Sequence, residues 1–202
     1  MPTNSNALTP WGSSNFGPFT NASTQPSANG TVAPSPTTLT ALSTSGPTLF
    51  LTFTNFTPSV LNCIVIDRNY ETVRRICSNI SPIFTLIKDP EGHNLALIEW
   101  NSLPTVEITG VIPKQKARDW LALTPEGMSR IMTVGQAYYV WAPAGKYVCL
   151  YSTVSSTLKI LARICKTPMN VALEMSQAAI DLSLLEPCVV ATVLLQSGRN
   201  ID

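Results

Sequence analysis

The segment between residues 187 and 197 constrains the fold of this 202-residue chain more than any other feature. Within it, Cys188–Leu195 is apolar nearly all round, and a helix that is apolar on every side must be buried on every side. Ser183–Glu186 matches a capping box, Pro187 is tolerated in a first helical turn, and Gly198 suits a helix C-cap. The segment therefore predicts a short helix inside the domain.

Two other interpretations of this segment stay open. Val and Thr favour strands, so a buried β-strand is the alternative within the domain. As a membrane helix, the segment would rise about 1.5 Å per residue and cover only about half of a hydrocarbon core about 30 Å thick. If the segment is extended towards the N-terminus, it includes the charged residues Glu186 and Asp181. We therefore expect no transmembrane span.

From Thr48 onward, short runs of alternating apolar and polar residues predict β-strands joined by hairpins. Turn residues separate the runs, as at 67–69 (Asp-Arg-Asn) and 89–92 (Asp-Pro-Glu-Gly). About ten such strands at close spacing indicate a mainly β fold, an antiparallel barrel or sandwich. Lys116–Leu123 interrupts the strand pattern, because its apolar residues recur at helical spacing, and predicts a second short helix.

The first 46 residues differ in composition from the rest of the chain. They are mostly Ser, Thr, Asn, Pro, Ala and Gly, and the first charged residue of the chain is Asp67. Such a segment does not bury enough apolar surface to offset the entropy of ordering it. We therefore predict a disordered tail over 1–46 and a single β-rich domain over 47–202. The aromatic residues Trp11, Phe16 and Phe19 leave open a short docking motif in the tail.

Charge and cysteine content exclude several classes of partner and cofactor. The 13 Lys and Arg against 12 Asp and Glu lack the basic surplus typical of nucleic-acid binding, so we expect no nucleic-acid partner. The cysteines are widely spaced, with no CxxC or Cys/His cluster, so we expect no metal site and no cofactor. Reduced thiols and the lack of a signal peptide predict an intracellular, cytoplasmic protein.

Catalysis in this chain would depend on His93 or on Glu99. His93 is the only histidine and follows a turn, and no nucleophile motif accompanies it. Glu99 with Glu107 would provide a carboxylate pair, but single Glu residues among apolar ones are typical of the solvated face of a strand. We therefore expect no catalytic residues and no enzymatic activity. A small hydrolase that uses His93 or Glu99 is kept as an alternative.

The candidate binding residues are Lys114, Lys116, Arg118 and Trp120. In an extended chain, residues spaced by two share one face, so the three cations would lie together beside an amphipathic aromatic residue. Each cation contributes about 1 kcal/mol near an anionic membrane. If the segment is helical, the same cations are solvated positions around a buried Trp120.

Four short motifs resemble a known family: Ala96–Trp100 (Ala-Leu-Ile-Glu-Trp), Ile108–Gly110, Trp120–Leu121 and Gly135–Trp141. Over about residues 47–198 the chain resembles an uncharacterised domain of unknown function from mushroom-forming fungi. That family is similar in architecture to the tubby C-terminal, phospholipid-scramblase and LURP-one domains. The resemblance implies a closed antiparallel barrel around a central apolar helix. The basic cluster of tubby domains and the acidic calcium stretch of scramblases have no counterpart in this sequence.

Pattern and resemblance together lead us to expect a non-enzymatic binding domain. By analogy of fold, the expected ligand is an anionic lipid or a membrane surface. A protein–protein interaction module, acting through a sheet edge or through the tail, is the alternative from another class.

Overall fold

The computed structural model describes residues 48–79, 83–153 and 159–202. These residues form one mainly antiparallel sheet of thirteen strands and a few helices, which confirms the predicted β-rich class. The predicted tail over 1–46 lies outside the described residues. The strands are β1 (Leu49–Thr54), β2 (Cys63–Ile66), β3 (Thr72–Ser78), β4 (Phe84–Lys88), β5 (Asn94–Glu99), β6 (Thr105–Ile108), β7 (Ile112–Lys116), β8 (Leu121–Leu123), β9 (Arg130–Val134), β10 (Ala137–Ala144), β11 (Tyr147–Ser152), β12 (Ile160–Lys166) and β13 (Val171–Met175). The helices are α1 (Ala117–Trp120), α2 (Gln177–Asp181) and α3 (Leu185–Gln196).

The order of strands in the sheet is β7-β6-β5-β4-β3-β2-β1-β13-β12-β11-β10-β9-β8. The two edge strands, β7 and β8, are consecutive in the chain and are joined by the single turn of α1. Across the described residues no ladder connects β7 with β8, so the predicted closed barrel is not confirmed. The covalent connection nevertheless keeps the two edges close, and the backbone N–H of Ala117 donates to the carbonyl of Pro104 at 2.8 Å.

The strand pattern of the sequence missed β7, β8 and α2. In β7 only Ile112 is buried, and Pro113 lacks a backbone donor, which restricts it to edge strands such as this one. The predicted helix over Lys116–Leu123 is confirmed only for α1, because Leu121–Leu123 pairs with β9 as the three-residue strand β8. Such short elements carry too few residues to show a periodicity.

The apolar C-terminal segment is helical, which decides between the helix and the strand. Pro187–Leu195 is buried, and the one polar side chain within it, Thr192, donates its hydroxyl proton to the carbonyl of Cys188 at 2.7 Å. The helix packs against β13 and against β5, which four other strands separate in the sheet. The helix therefore contacts strands that lie far apart in the order of the sheet.

The capping box predicted at Ser183–Glu186 is wrong. Ser183 has a φ of 56° and its N–H donates to the carbonyl of Ile180, so it terminates α2 rather than starting α3. The N-cap of α3 is Leu184, without a side-chain hydrogen bond, and Glu186 instead forms an ion pair with Arg74 of β3. Gly198, with a φ of 71°, lies just after α3 as the sequence predicts.

Candidate functional site

The antiparallel order places alternate connections at opposite ends of the sheet. Because no ladder connects β7 with β8 among the described residues, we assign the ends by following the registers from β1 in both directions. One end contains Ile83, 55–62, 100–104, 124–129, 145–146 and 167–170, and we refer to it as the α1 end because α1 begins there, after Lys116; β8 then runs from α1 to 124–129. We refer to the other as the α2 end, which contains 67–71, 89–93, 109–111, 135–136 and 176–184. Contacts agree with this assignment, since Asp202, beyond α3, pairs with Arg130 at the α1 end. Glu186, at the start of α3, pairs with Arg74 towards the α2 end.

The structure places Lys114 and Lys116 on β7 and Arg118 on α1, all exposed and at or near the α1 end. Lys114 forms a salt bridge with Glu99 of β5, with Nζ 2.7 Å from Oε2, and Thr105 donates its hydroxyl proton to the same carboxylate. These two hydrogen bonds, that of Lys114 being the stronger influence, lower the pKa of Glu99. The charge of Lys114 is therefore neutralised within the protein.

Trp120 is fully buried, which removes it from the predicted membrane-facing surface. Its indole Nε1–H donates to the carbonyl of Thr133 at 2.9 Å, so both its apolar body and its polar tip have partners in the protein. The helical interpretation of residues 117–120 explains this outcome, because one turn of helix rotates Trp120 inward while Arg118 faces outward. Of the four candidate residues, Lys116 and Arg118 remain exposed cations that a ligand can reach; Arg118 also forms an exposed ion pair with the neighbouring Asp119, with Nε 3.8 Å from Oδ1.

Exposed apolar side chains accompany these two cations at the α1 end. Leu103 lies in the connection between β5 and β6, and Met128 lies in the connection between β8 and β9, with 40% and 64% of their surface exposed. Leu103 lies two residues before Thr105, which pairs with Lys116, whereas Met128 lies beyond β8, the strand that follows α1. Sequence patterns missed both apolar residues, because a single apolar residue in a turn has no periodicity.

A shallow depression of about 270 Å³ adjoins the same end on the outer face of β4 and β5. Ile83, Phe84, Leu86 and Leu97 supply its apolar lining, with Glu99 and Asn101 at its margin. Ile83 and Phe84 are exposed. The apolar surface of the α1 end therefore continues from the loops onto the outside of the sheet.

The α2 end has a different character, dominated by acidic residues in hydrogen-bonded turns. Asp67 accepts hydrogen bonds from the backbone N–H groups of Asn69 and Glu71, and Asp89 accepts one from the N–H of His93. His93 Nδ1 also lies 2.9 Å from Asp89 Oδ2. The ligand atoms of Asp89, Glu91 and His93 lie within 4.8 Å of one another, but both carboxylate oxygens of Asp89 already accept hydrogen bonds from His93.

The candidate catalytic residues do not converge. His93 lies in the turn that precedes β5, and Glu99 lies at the opposite end of the same strand. At about 3.3 Å per residue, they are separated by roughly 20 Å, too far to act on one bond. Glu107 pairs with Leu97 across the sheet and is exposed, and Glu99 is bound by Lys114 instead.

All five cysteines are free thiols, as predicted, and their environments suppress thiolate chemistry where they are buried. Burial raises the pKa of Cys63 to about 12, with a smaller contribution from Cys77. Burial also raises the pKa of Cys149 and of Cys188. Because the thiolate is the nucleophile, these buried cysteines are packing residues.

Among the described helices, none has both the length and the apolar character to cross a membrane. No family model and no curated protein matches this chain. Among solved structures, the chain is similar to the X-ray structure of a protein from Arabidopsis thaliana, with 10% sequence identity and a TM-score of 0.40. The alignment covers 72% of this chain and 91% of the plant protein. The resemblance to the fungal family stays a prediction.

Proposed function

We propose that this chain is a non-catalytic binding domain that attaches its α1 end to anionic membrane surfaces. The observation that supports the proposal is the combination of exposed side chains at this end. Lys116 and Arg118 are exposed cations, and Leu103 and Met128 are exposed apolar residues in the connections 100–104 and 124–129. Peripheral membrane contact uses this combination, since apolar tips enter the interface while cations meet anionic head groups.

The two kinds of residue contribute comparable free energies. Near an anionic surface each Lys or Arg contributes about 1 kcal/mol, so Lys116 and Arg118 together favour binding by about 2 kcal/mol. The apolar side chains of Leu103 and Met128 add about 25 cal/mol for each Å² that leaves water. Binding of this kind is reversible and weakens with salt, because exposed charges are screened over a Debye length of about 10 Å at 0.1 M salt.

The test is sedimentation with phosphatidylcholine vesicles that contain phosphatidylserine, compared with phosphatidylcholine alone. The double variant Lys116→Ala/Arg118→Ala is expected to bind about 30-fold more weakly, the equivalent of about 2 kcal/mol. The matched control is Lys88→Ala/Lys159→Ala, which removes the same charge at the α2 end. Wild-type affinity in the control places the contact at the α1 end.

A second variant, Leu103→Ser/Met128→Ser, reports the apolar contribution without a change of charge. It is expected to weaken binding to both kinds of vesicle and to leave the salt dependence unchanged, since salt acts on the charges. Equal binding of wild type to neutral and anionic vesicles contradicts the proposal. So does an equal loss of affinity in the two charge variants.

One observation favours a protein partner as the second candidate function. The depression lined by Ile83, Phe84, Leu86 and Leu97 is apolar, and apolar depressions of this kind take side chains from partner proteins. Replacement of Phe84 with Ser leaves the cations of the α1 end intact. A partner isolated with wild type and lost with Phe84→Ser, while vesicle binding is unchanged, would support this alternative. The separation of His93 from Glu99 offers no support for a hydrolase.

A further inference from the structure

Arg130 is the most buried cation described at the α1 end, with 4% of its side chain exposed. It lies at the first residue of β9 and pairs across the sheet with Leu123 and Trp141, on the inward face. Its Nη1 donates to the carbonyl of Leu121, the residue that directly follows α1, at 3.0 Å. Arg130 therefore places a buried positive charge at the α1 end, the end at which the exposed Lys116 also lies.

The guanidinium of Arg130 is bound by the carboxylate of Asp202, in the segment 197–202. Asp202 accepts two parallel hydrogen bonds from Arg130, from Nη1 to Oδ1 at 2.9 Å and from Nη2 to Oδ2 at 2.7 Å. The planar fork of a guanidinium binds a carboxylate or a phosphate in this same bidentate geometry. Arg130 therefore presents a formed anion site, and Asp202 fills it.

The segment that carries Asp202 is held at two further points. The guanidinium of Arg199 lies over the ring of Trp100, 5.0 Å from its centroid, and Ile201 is buried. The residues that make these contacts, Arg199 and Ile201, lie in neither a helix nor a strand, since α3 ends at Gln196. Asp202 itself keeps 43% of its side chain exposed. These contacts of the segment involve side chains, so breaking them leaves the hydrogen bonds of α3 and of the sheet in place.

We propose that Asp202 is a built-in competitor at an anion site centred on Arg130, and that the phosphate of a lipid head group takes its place. The inference rests on the proposed function, because it supplies the head-group site for the same membrane-facing end. Lys116 and Arg118 bring the domain to an anionic surface, and Arg130 then binds one phosphate once the segment 197–202 lifts. Affinity for phosphate-bearing lipids is accordingly limited by the fraction of molecules in which the segment is open.

The decisive variant is Asp202→Asn, measured with phosphatidylcholine vesicles that contain phosphatidic acid, whose head group is a phosphomonoester. If the segment is closed in about nine molecules of ten, opening the site strengthens binding by about tenfold. The matched control is Glu126→Gln, which removes one negative charge from an exposed position at the same end. Equal gains in the two variants would indicate general electrostatic attraction and overturn the inference, while the proposed function would stand.

Two more variants separate competition from a change in stability. Ile201→Ser loosens the segment and keeps the Asp202 carboxylate, and it is expected to strengthen binding in the same direction as Asp202→Asn. Arg130→Lys keeps the charge but loses the bidentate fork, so the gain is expected to disappear in Asp202→Asn/Arg130→Lys. A thermal melt of each variant serves as the control that the protein is folded at the temperature of the binding measurement. A gain that persists without the fork overturns the inference.

Inorganic phosphate distinguishes a lipid head group from the free anion. Titration of the Asp202→Asn protein, followed by the NMR signals of arginine side chains, is expected to shift the Arg130 signal and not that of Arg68 at the α2 end. Phosphatidic acid vesicles are expected to produce the same shift at lower phosphate concentration. If no variant binds vesicles, the proposed function fails, and the phosphate titration alone decides the inference. An unshifted Arg130 signal overturns it.

Discussion

The two ends of α3 are attached to the sheet by the same chemistry but in different ways. At the start of the helix, Arg74 of β3 binds Glu186, with Nε 3.1 and 3.2 Å from its two carboxylate oxygens. Beyond the other end, Arg130 of β9 binds Asp202. Glu186 lies within the first turn of α3, whereas Asp202 lies in a non-helical segment six residues past Gln196.

The difference shows which ion pair is structural and which is able to open. Glu186 is carried by the first turn of α3 and lies near the positive end of the helix dipole, so the helix backbone holds its carboxylate beside Arg74. Asp202 lies outside any helix or strand, and in our proposal it is released from Arg130 while α3 stays folded. The releasable pair lies at the α1 end, where the exposed cations and apolar tips also lie. The fixed pair lies towards the α2 end.

The largest expected effect is the loss of the fixed pair. Glu186→Ala is expected to lower the free energy of unfolding by about 2–3 kcal/mol, less than the 3–5 kcal/mol of a fully buried pair, because 17% of Arg74 and 20% of Glu186 stay exposed. Urea denaturation measures the change. The control Glu71→Ala removes an exposed carboxylate at the same end and is expected to change stability by less than about 0.5 kcal/mol.

The releasable pair is expected to contribute less. Asp202→Asn lowers the free energy of unfolding by about 1–2 kcal/mol, because the amide oxygen still accepts one hydrogen bond from Arg130 and the site is open to water. The same urea experiment ranks the two variants. A larger loss for Asp202→Asn than for Glu186→Ala would show that segment 197–202 is the more firmly held attachment, and would reverse the comparison.

The chain enters and leaves α3 through residues with positive φ, and these are expected to respond in opposite directions. Gly198→Ala is expected to lower stability by about 1 kcal/mol, since φ is 71° there and a Cβ meets no atom within 4 Å. Ser183→Gly is expected to raise stability by about 0.5 kcal/mol, since φ is 56°. Thermal melts check both, and a loss of stability in Ser183→Gly would contradict the backbone argument.

The smallest effect is a pH dependence at the α2 end. The hydrogen bond that the His93 ring donates to Asp89, and then the charge of Asp89, raise the pKa of His93 above its ordinary value of 6.5. The protonated ring therefore stabilises the fold fully below pH 6.5, and this contribution is lost as the pH rises through the folded pKa. Titration by NMR is expected to show the raised pKa, and Asp89→Asn is expected to return it toward 6.5. An unchanged pKa in the variant would remove Asp89 as the cause.

Part of the candidate site follows from the sequence, and part does not. Spacing identified Lys114, Lys116 and Arg118 as a basic group, and the structure keeps all three exposed. Spacing did not identify the partner of Lys114, because Glu99 is fifteen residues away and meets it only across the β5–β6–β7 ladders. Nor did it identify Arg130, whose partner Asp202 is 72 residues distant.

The amino-acid sequence by itself determined the elements whose physics is local. Alternation set most of the strands, turn residues set the hairpins at 67–71 and 89–93, and a uniformly apolar run required that Pro187–Leu195 be buried, although only the structure decided that the run is a helix. Tertiary structure alone decided that β7 and β8 form the two edges of the sheet, that Trp120 turns inward, and that the loops of the α1 end gather exposed cations and apolar residues. These outcomes depend on which distant strands pair, and pairing is governed by the burial of whole faces around α3, a property that no short window of residues contains.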